Sequence, residues 1–179
     1  MEIRIMLECD LKQENERKGA SMTVDSQSAQ ERRQLKFTSF DEVLADAEQL
    51  ASSPNTKTLG NWQIGQLLAH LAWTVNNSID GIPFKAPWYL RLVGFFIKGR
   101  VIKHGLPTGI KLPKEAEAAS YRATSSPQEG LAALRKAMDR MKTEKMTSRH
   151  PVLGKLTHEE WAQYHLRHCE LHLNFAVPS

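Results

Sequence analysis

Histidines recur at 165, 168 and 172, preceded by Trp161. On a helix turning by about 100° per residue, these four side chains share one stripe roughly 60° wide. Tyr164, Leu171 and Phe175 border it on one side and Cys169, Ala162, Leu173 and Leu166 on the other, while Gln163, Arg167, Glu170 and Asn174 take the opposite face. Imidazoles in the middle of an apolar face must be satisfied by something. A divalent cation does so directly; bonding among the histidines themselves, to carbonyls and to water is the other solution. His168 and His172, four apart, project side by side at the separation a metal needs from two ring nitrogens, with bonds of about 2.1 Å for zinc. His165 and His168 can do the same. A zincin H-E-x-x-H motif is excluded, because Ala162 stands where His158-Glu159 would need its second histidine.

A third ligand has to come from a facing helix, and the segment after Gly60 supplies one. Gln63, Gln66, His70, Thr74 and Asn77 line one strip beside the apolar positions Ile64, Leu67, Leu68, Leu71 and Val75, with no Asp, Glu, Lys or Arg between Gly60 and Ile79. A solvent-facing strip normally carries Lys or Glu, so this line reads as the wall of an interior cavity with His70 at its middle; an amide-rich surface is the plainer reading. Glu159, Glu160 and Glu170 project away from the histidine stripe, which leaves no carboxylate placed as a general base. Cys169, one position off the stripe, is a redox or nucleophilic candidate or simple core filler.

Four segments with helical periodicity must position these residues. Ser39 and Glu42 form a capping box for a helix from Phe40 to about Ser53, stopped by Pro54. Asn61 caps a second helix to about Asp80, ended by Gly81 and Pro83. Ser126, Pro127 and Glu129 open a third that reaches about Glu144, and Thr157 with Glu160 boxes the last from His158 to about Ala176. Strand signals are nearly absent. Between the second and third long helices, Trp88 to Lys103 predicts a shorter helix or two, followed by an irregular loop from Gly105 to Pro113. The expected fold is all-α.

The chain has 179 residues and a net charge of +4, which suits one domain large enough to need neither disulfides nor metal for stability. Two cysteines, Cys9 and Cys169, point to a reducing, cytoplasmic setting. No apolar run approaches the roughly 20 residues of a spanning helix. Residues 1–34 read as a flexible N-terminal arm, with Met22 a possible alternative start, and residues 35–179 as the folded domain. Between Asp80 and Glu115 there are seven Lys or Arg and no acid. That basic segment reads as a solvated face, an anchor for an anionic small molecule, or a patch for an acidic membrane surface without stable insertion. Nucleic acid is not expected, because no recognition helix or aromatic ladder accompanies the cations.

Gly60-Asn61-Trp62 leading into Leu68-Ala69-His70-Leu71-Ala72, then Ser78-Ile79-Asp80-Gly81, His150-Pro151-x-x-Gly154 and Trp161-x-x-x-His165-x-x-His168-x-x-x-His172-Leu173 resemble the DinB-like superfamily, in its domain-of-unknown-function 1569 branch. The resemblance covers about residues 32 to 178. It implies an up-and-down four-helix bundle of DinB type with an extra short helical segment between the second and third long helices. It also implies a metal on one histidine of the second helix and an H-x-x-x-H pair of the last, here His70, His168 and His172. His165, Trp161, Gln66, Thr74 and Cys169 would then support the ligands or shape the pocket. Characterised relatives include thiol-dependent S-transferases and a maleylpyruvate isomerase using a low-molecular-weight thiol. The expected protein is therefore an enzyme with zinc or nickel, or else iron or manganese, at a site with one open position, acting on a small substrate, anionic where the basic segment anchors it, by thiol-dependent group transfer or hydrolysis. The alternative is a non-catalytic binding or interaction module whose metal is structural or absent; a homodimer is compatible with either.

Overall fold

A computed structural model describes residues 32–60, 62–105 and 126–178. The expected arm before residue 32, the Asn61 cap and the irregular loop beyond Gly105 fall outside the described residues. The rest is mostly helical. Helix α1 (Phe40–Ser52) starts where Ser39 Oγ accepts from Glu42 N; the Glu42 carboxylate in turn accepts from Thr38 N at 2.7 Å and Thr38 Oγ1 at 2.8 Å, one residue before the expected partner. Helix α2 (Ile64–Asp80) begins on Gln63, two residues after the expected Asn61 and with no side-chain cap, and stops at Gly81, whose φ of 115° suits glycine. Helices α4 (Pro127–Thr143) and α5 (His158–Leu173) each open with a complete capping box, Ser126 with Glu129 and Thr157 with Glu160.

Two expectations need correction. The segment after α2 is no short helix or pair of helices: α3 (Trp88–His104) is one continuous helix of 17 residues, equal to α2 and α4. Pro87 precedes it and Gly105, at φ 82°, ends it, whereas Gly94 and Gly99 inside it weaken the helix without breaking it. The last helix stops at Leu173, three residues before Ala176. There β4 (Ala176–Val177) pairs antiparallel with β1 (Lys57–Thr58), and Leu59 N donates to Phe175 O at 2.8 Å, so the backbone groups find partners outside the helix. A second short pair, β2 (Arg149–His150) with β3 (Gly154–Lys155), makes the hairpin before α5.

The core lies among α1, α2, α4 and α5, where Leu50, Leu68, Leu71, Leu134, Met138 and Leu173 are almost wholly buried. The most extensive helix contact is α2 on α4, and α3 packs chiefly on α5. At the α2–α4 crossing Gly130 faces Gly65. A Cβ built at Gly130 would stand 2.5 Å from Gly65 O and 3.0 Å from Leu68 Cβ, so the absence of a side chain sets how closely the helices approach. Gly94 plays the same part against Val152.

The N-terminal edge is tied down as well. Arg33 makes a two-pronged bond to Asp46, at 2.5 and 2.8 Å, and reaches Leu173 O at 2.9 Å, while Phe37 N donates to Glu170 Oε1 at 2.6 Å. Arg167, on the face of α5 opposite the histidines, is therefore buried: residues 32–37 run across it, and it bonds Phe37 O and Glu170.

Glycine substitutions should separate packing from propensity. Gly130→Ala is expected to lower stability by about 1–3 kcal/mol although alanine is the better helix former, because the helices must part. Gly99→Ala, with nothing within 4 Å of its Cβ, should raise it by up to about 1 kcal/mol. Urea unfolding of both variants checks the opposite signs.

Candidate metal centre

Helix α2 contributes His70 and helix α5 contributes His168 and His172, and their ring nitrogens lie within 4.8 Å of one another. Among the described residues this is the one group of three or more histidine, cysteine or acidic side chains gathered in this way. His70 is 5% exposed, so it faces inward; His168 and His172 are half-buried. The Nε2 atoms of His168 and His172 stand 2.8 Å apart. The three rings meet at steep angles, with centroids 4.7 Å apart for His70 and His172 and 5.3 Å for His70 and His168.

Burial sets the charge of this cluster. His168 is held well below its ordinary pKa of 6.5, first by desolvation and then by the neighbouring imidazoles of His172 and His70; His172 is lowered by desolvation and by His70. Both are neutral at pH 7, and each neutral ring has one nitrogen lone pair to offer. Two such lone pairs facing each other at 2.8 Å repel unless a proton or a cation lies between them. The buried Nδ1 of His168 has no hydrogen-bond partner among the described residues. The donor set is thus three imidazoles, which suits a borderline divalent ion.

The rings' surroundings fix their orientation. Trp62, on the loop entering α2, stacks on His172 with centroids 5.9 Å apart and planes 4° apart, and tilts over His70 at 4.9 Å. Tyr164 stacks against His168 at 5.6 Å. The crevice flanking His168, lined by Val101, Gly105, Tyr164, Arg167 and Leu171, has no room for a water molecule.

His165 belongs to a different assembly one turn earlier. Its Nε2 lies 3.1 Å from Ser78 Oγ on α2, and Ser78 Oγ donates its own proton to Val75 O at 2.6 Å. The hydroxyl therefore accepts, His165 carries its proton on Nε2, and the bond clamps α5 to α2. The ring stacks on Trp161 at 5.3 Å, whose Nε1 donates to Ser148 O at 3.2 Å. His150 packs edge-on to Tyr164, and its Nδ1 accepts from Val152 N and Leu153 N at 3.1 and 2.9 Å. Desolvation pushes His165 down to about 3 and His150 down to about 4.

The remaining sequence candidates are dispersed. Gln66 is buried one turn before His70, whereas Gln63 is exposed at the helix start, so the uncharged strip is only partly interior. Thr74 Oγ1 and Asn77 Nδ2 bond carbonyls of their own helix, Leu71 O and Trp73 O. Cys169 packs into the hydrophobic core with its thiol pushed up to about 12 by burial, which keeps it protonated and unreactive. His158 accepts from Met146 N and His104 is exposed at the end of α3, both outside the cluster. Spacing within α5 sets Tyr164 beside the histidine row but says nothing of Trp62 or His150, which only the quoted motif segments signal.

The neutral histidines impose a pH dependence. For His150 and His165 the folded pKa lies below the unfolded 6.5, so the unfolded chain binds more protons between the two values. Their contribution is complete above about pH 6.5 and is lost as pH falls toward 4 and then 3. Stability should decline on acidification by roughly 1.4 kcal/mol per pH unit for each such histidine. His165→Gln should remove about one proton's worth of that slope in urea titrations between pH 6.5 and 4.

No curated protein and no solved structure matches the chain. The family described as protein of unknown function (DUF1569) matches over residues 29–179, which takes in every element above, and the chain belongs to that family.

Proposed function

We propose that the protein is a divalent-metal-dependent enzyme of DinB-like type, in which α1, α2, α4 and α5 form the four-helix bundle and His70, His168 and His172 hold the ion. The observation that carries this reading is the convergence of three buried or half-buried imidazoles from two helices, with the Nε2 pair of His168 and His172 at 2.8 Å. Two nitrogens bonded at about 2.1 Å and at right angles are separated by about 3.0 Å, close to that spacing. His70 completes the set by a small ring adjustment, since ligands at such bond lengths are at most about 4.2 Å apart.

A divalent ion on three neutral ligands would supply Lewis acidity at an open position, polarising an electrophile or favouring the nucleophilic form of a thiol or water. Everything else falls to the chain. Trp62 and Tyr164 hold the ring planes, and His165 with Ser78 fixes the spacing of α2 and α5. Among the described residues no carboxylate joins the cluster, which favours thiol-dependent transfer over hydrolysis. Zinc or nickel fits the all-nitrogen set best. The direct His168–His172 contact also fits the second reading, a non-catalytic module in which the imidazoles bond one another.

Thermal unfolding with added ions separates the two. With zinc or nickel at about a hundredfold excess over Kd, the enzyme reading expects stabilisation of about 2.7 kcal/mol at pH 7.5. Because burial already holds His168 and His172 neutral well below pH 6.5, the response should weaken only when pH falls far enough to protonate these buried rings. His172→Ala should abolish it and His158→Ala or His104→Ala should retain it. Unchanged midpoints with zinc, nickel and manganese at pH 7.5 favour the module.

A further inference from the structure

Helix α3 carries apolar residues on both its inner and its outer side, a pattern expected of a helix covered on both faces. Among the described residues only one face is covered. Gly94 and Val101 are buried toward α5 and the β2–β3 hairpin, while the opposite side exposes Trp88 (74%), Tyr89, Leu92, Val93, Phe95 (72%) and Phe96 (76%). At about 100° per residue these six span an arc of roughly 160° centred away from the buried side. Over residues 88–96 this makes an apolar ridge, with Arg100 and Lys103 continuing the same side one to two turns on, and it is far from the scattered exposure normal on a soluble surface.

Charge decides what covers it. Lys85, Arg91, Arg100 and Lys103 are exposed on or beside the helix, and the sequence has no acid between Asp80 and Glu115. Lys98 alone among the cations of α3 is occupied, with Glu160 at 2.7 Å and Lys155 O at 3.0 Å. A second copy is a poor partner: pairing α3 with itself brings together two segments that carry cations and no acid, at a cost in like-charge repulsion. An anionic lipid surface meets both features, taking the aromatic ridge into the acyl boundary while its headgroups neutralise the flanking cations. No helix among the described residues is long and apolar enough to cross a membrane, so the contact lies in the interface plane.

The geometry points to α3 as a peripheral membrane-docking helix, selective for anionic lipid and independent of whether the histidine cluster holds a metal. Co-sedimentation of the full chain with phosphatidylcholine vesicles, with and without roughly 30% phosphatidylglycerol, tests it. Binding to the anionic vesicles should be at least about tenfold stronger and weaken with salt. Phe95→Ser with Phe96→Ser, and separately Arg91→Glu with Arg100→Glu, should each reduce it about tenfold or more, while Lys136→Glu on the exposed face of α4 leaves it unchanged. All four α3 side chains are exposed, and circular dichroism verifies that the variants stay folded. No preference for anionic vesicles, or retention of binding in both α3 variants, overturns the proposal. So does a dimer by light scattering that the Phe95→Ser and Phe96→Ser changes dissociate while the unmodified chain ignores vesicles, which would make a second copy the occupant.

Discussion

Imidazoles can be packed along the inner side of a helix only while they carry no charge, and much of this architecture keeps them neutral. His165 and His150 sit deep enough that protonation is suppressed to about 3 and about 4, and His168 and His172 are depressed by the same desolvation. The facing helix respects the constraint. From Gly60 to Ile79 it carries no Asp, Glu, Lys or Arg, and the one carboxylate of α2, Asp80 at its end, is bonded to Arg140 and not to the row. The buried cation on α5, Arg167, is turned to the far side and neutralised there by Glu170 and Phe37 O. A carboxylate placed beside His168 would raise its pKa and take up the nitrogen that is left to bind something else.

The helix starts were legible because capping is local: a Ser or Thr and a Glu three residues on close a ring of bonds that needs nothing from the rest of the fold. Ser126–Glu129 and Thr157–Glu160 do this, and α4 and α5 begin where the sequence places them. Ends are another matter. Nothing local marks Leu173 as the last residue of α5; the stop depends on a strand pairing with residues 57 and 58, more than a hundred positions earlier. The continuity of α3 was obscured for a related reason, since Gly94 and Gly99 suggest breaks, whereas Gly94 is there for the backbone of Val152 to approach.

The histidine spacing was readable on α5 alone, because an i, i+4 pair on one helix requires no tertiary information. That His70 comes to meet it followed from the uncharged strip on α2 and from the resemblance. Neither revealed the clamp that sets the distance. Ser78 and His165 are 87 residues apart in sequence, and a serine near the end of a helix has no pattern that distinguishes a surface hydroxyl from a buried acceptor. Trp62 is similar: as a loop residue it belongs to no helical face, yet its ring covers both His70 and His172. Aromatic walls of this kind come from the path of the chain rather than from periodicity.

Helix α3 connects to this site more directly than its exposed outer face suggests. Lys98 bonds Glu160, the residue that also closes the capping box on Thr157 N at 2.9 Å, so one carboxylate secures both the start of α5 and the middle of α3. At the other end Val101 and Gly105 lie against Tyr164, Arg167 and His168, where a Cβ on Gly105 would stand 3.4 Å from Arg167 Cβ. Two points of attachment a helix turn or more apart resist sliding and tilting where one would not. The outer face of α3 is thus joined, through packed backbone and one shared ion pair, to the helix that carries two of the three clustered imidazoles. The absence of a side chain at Gly94 makes this coupling tight, because it lets α3 lie directly on the hairpin that leads into α5.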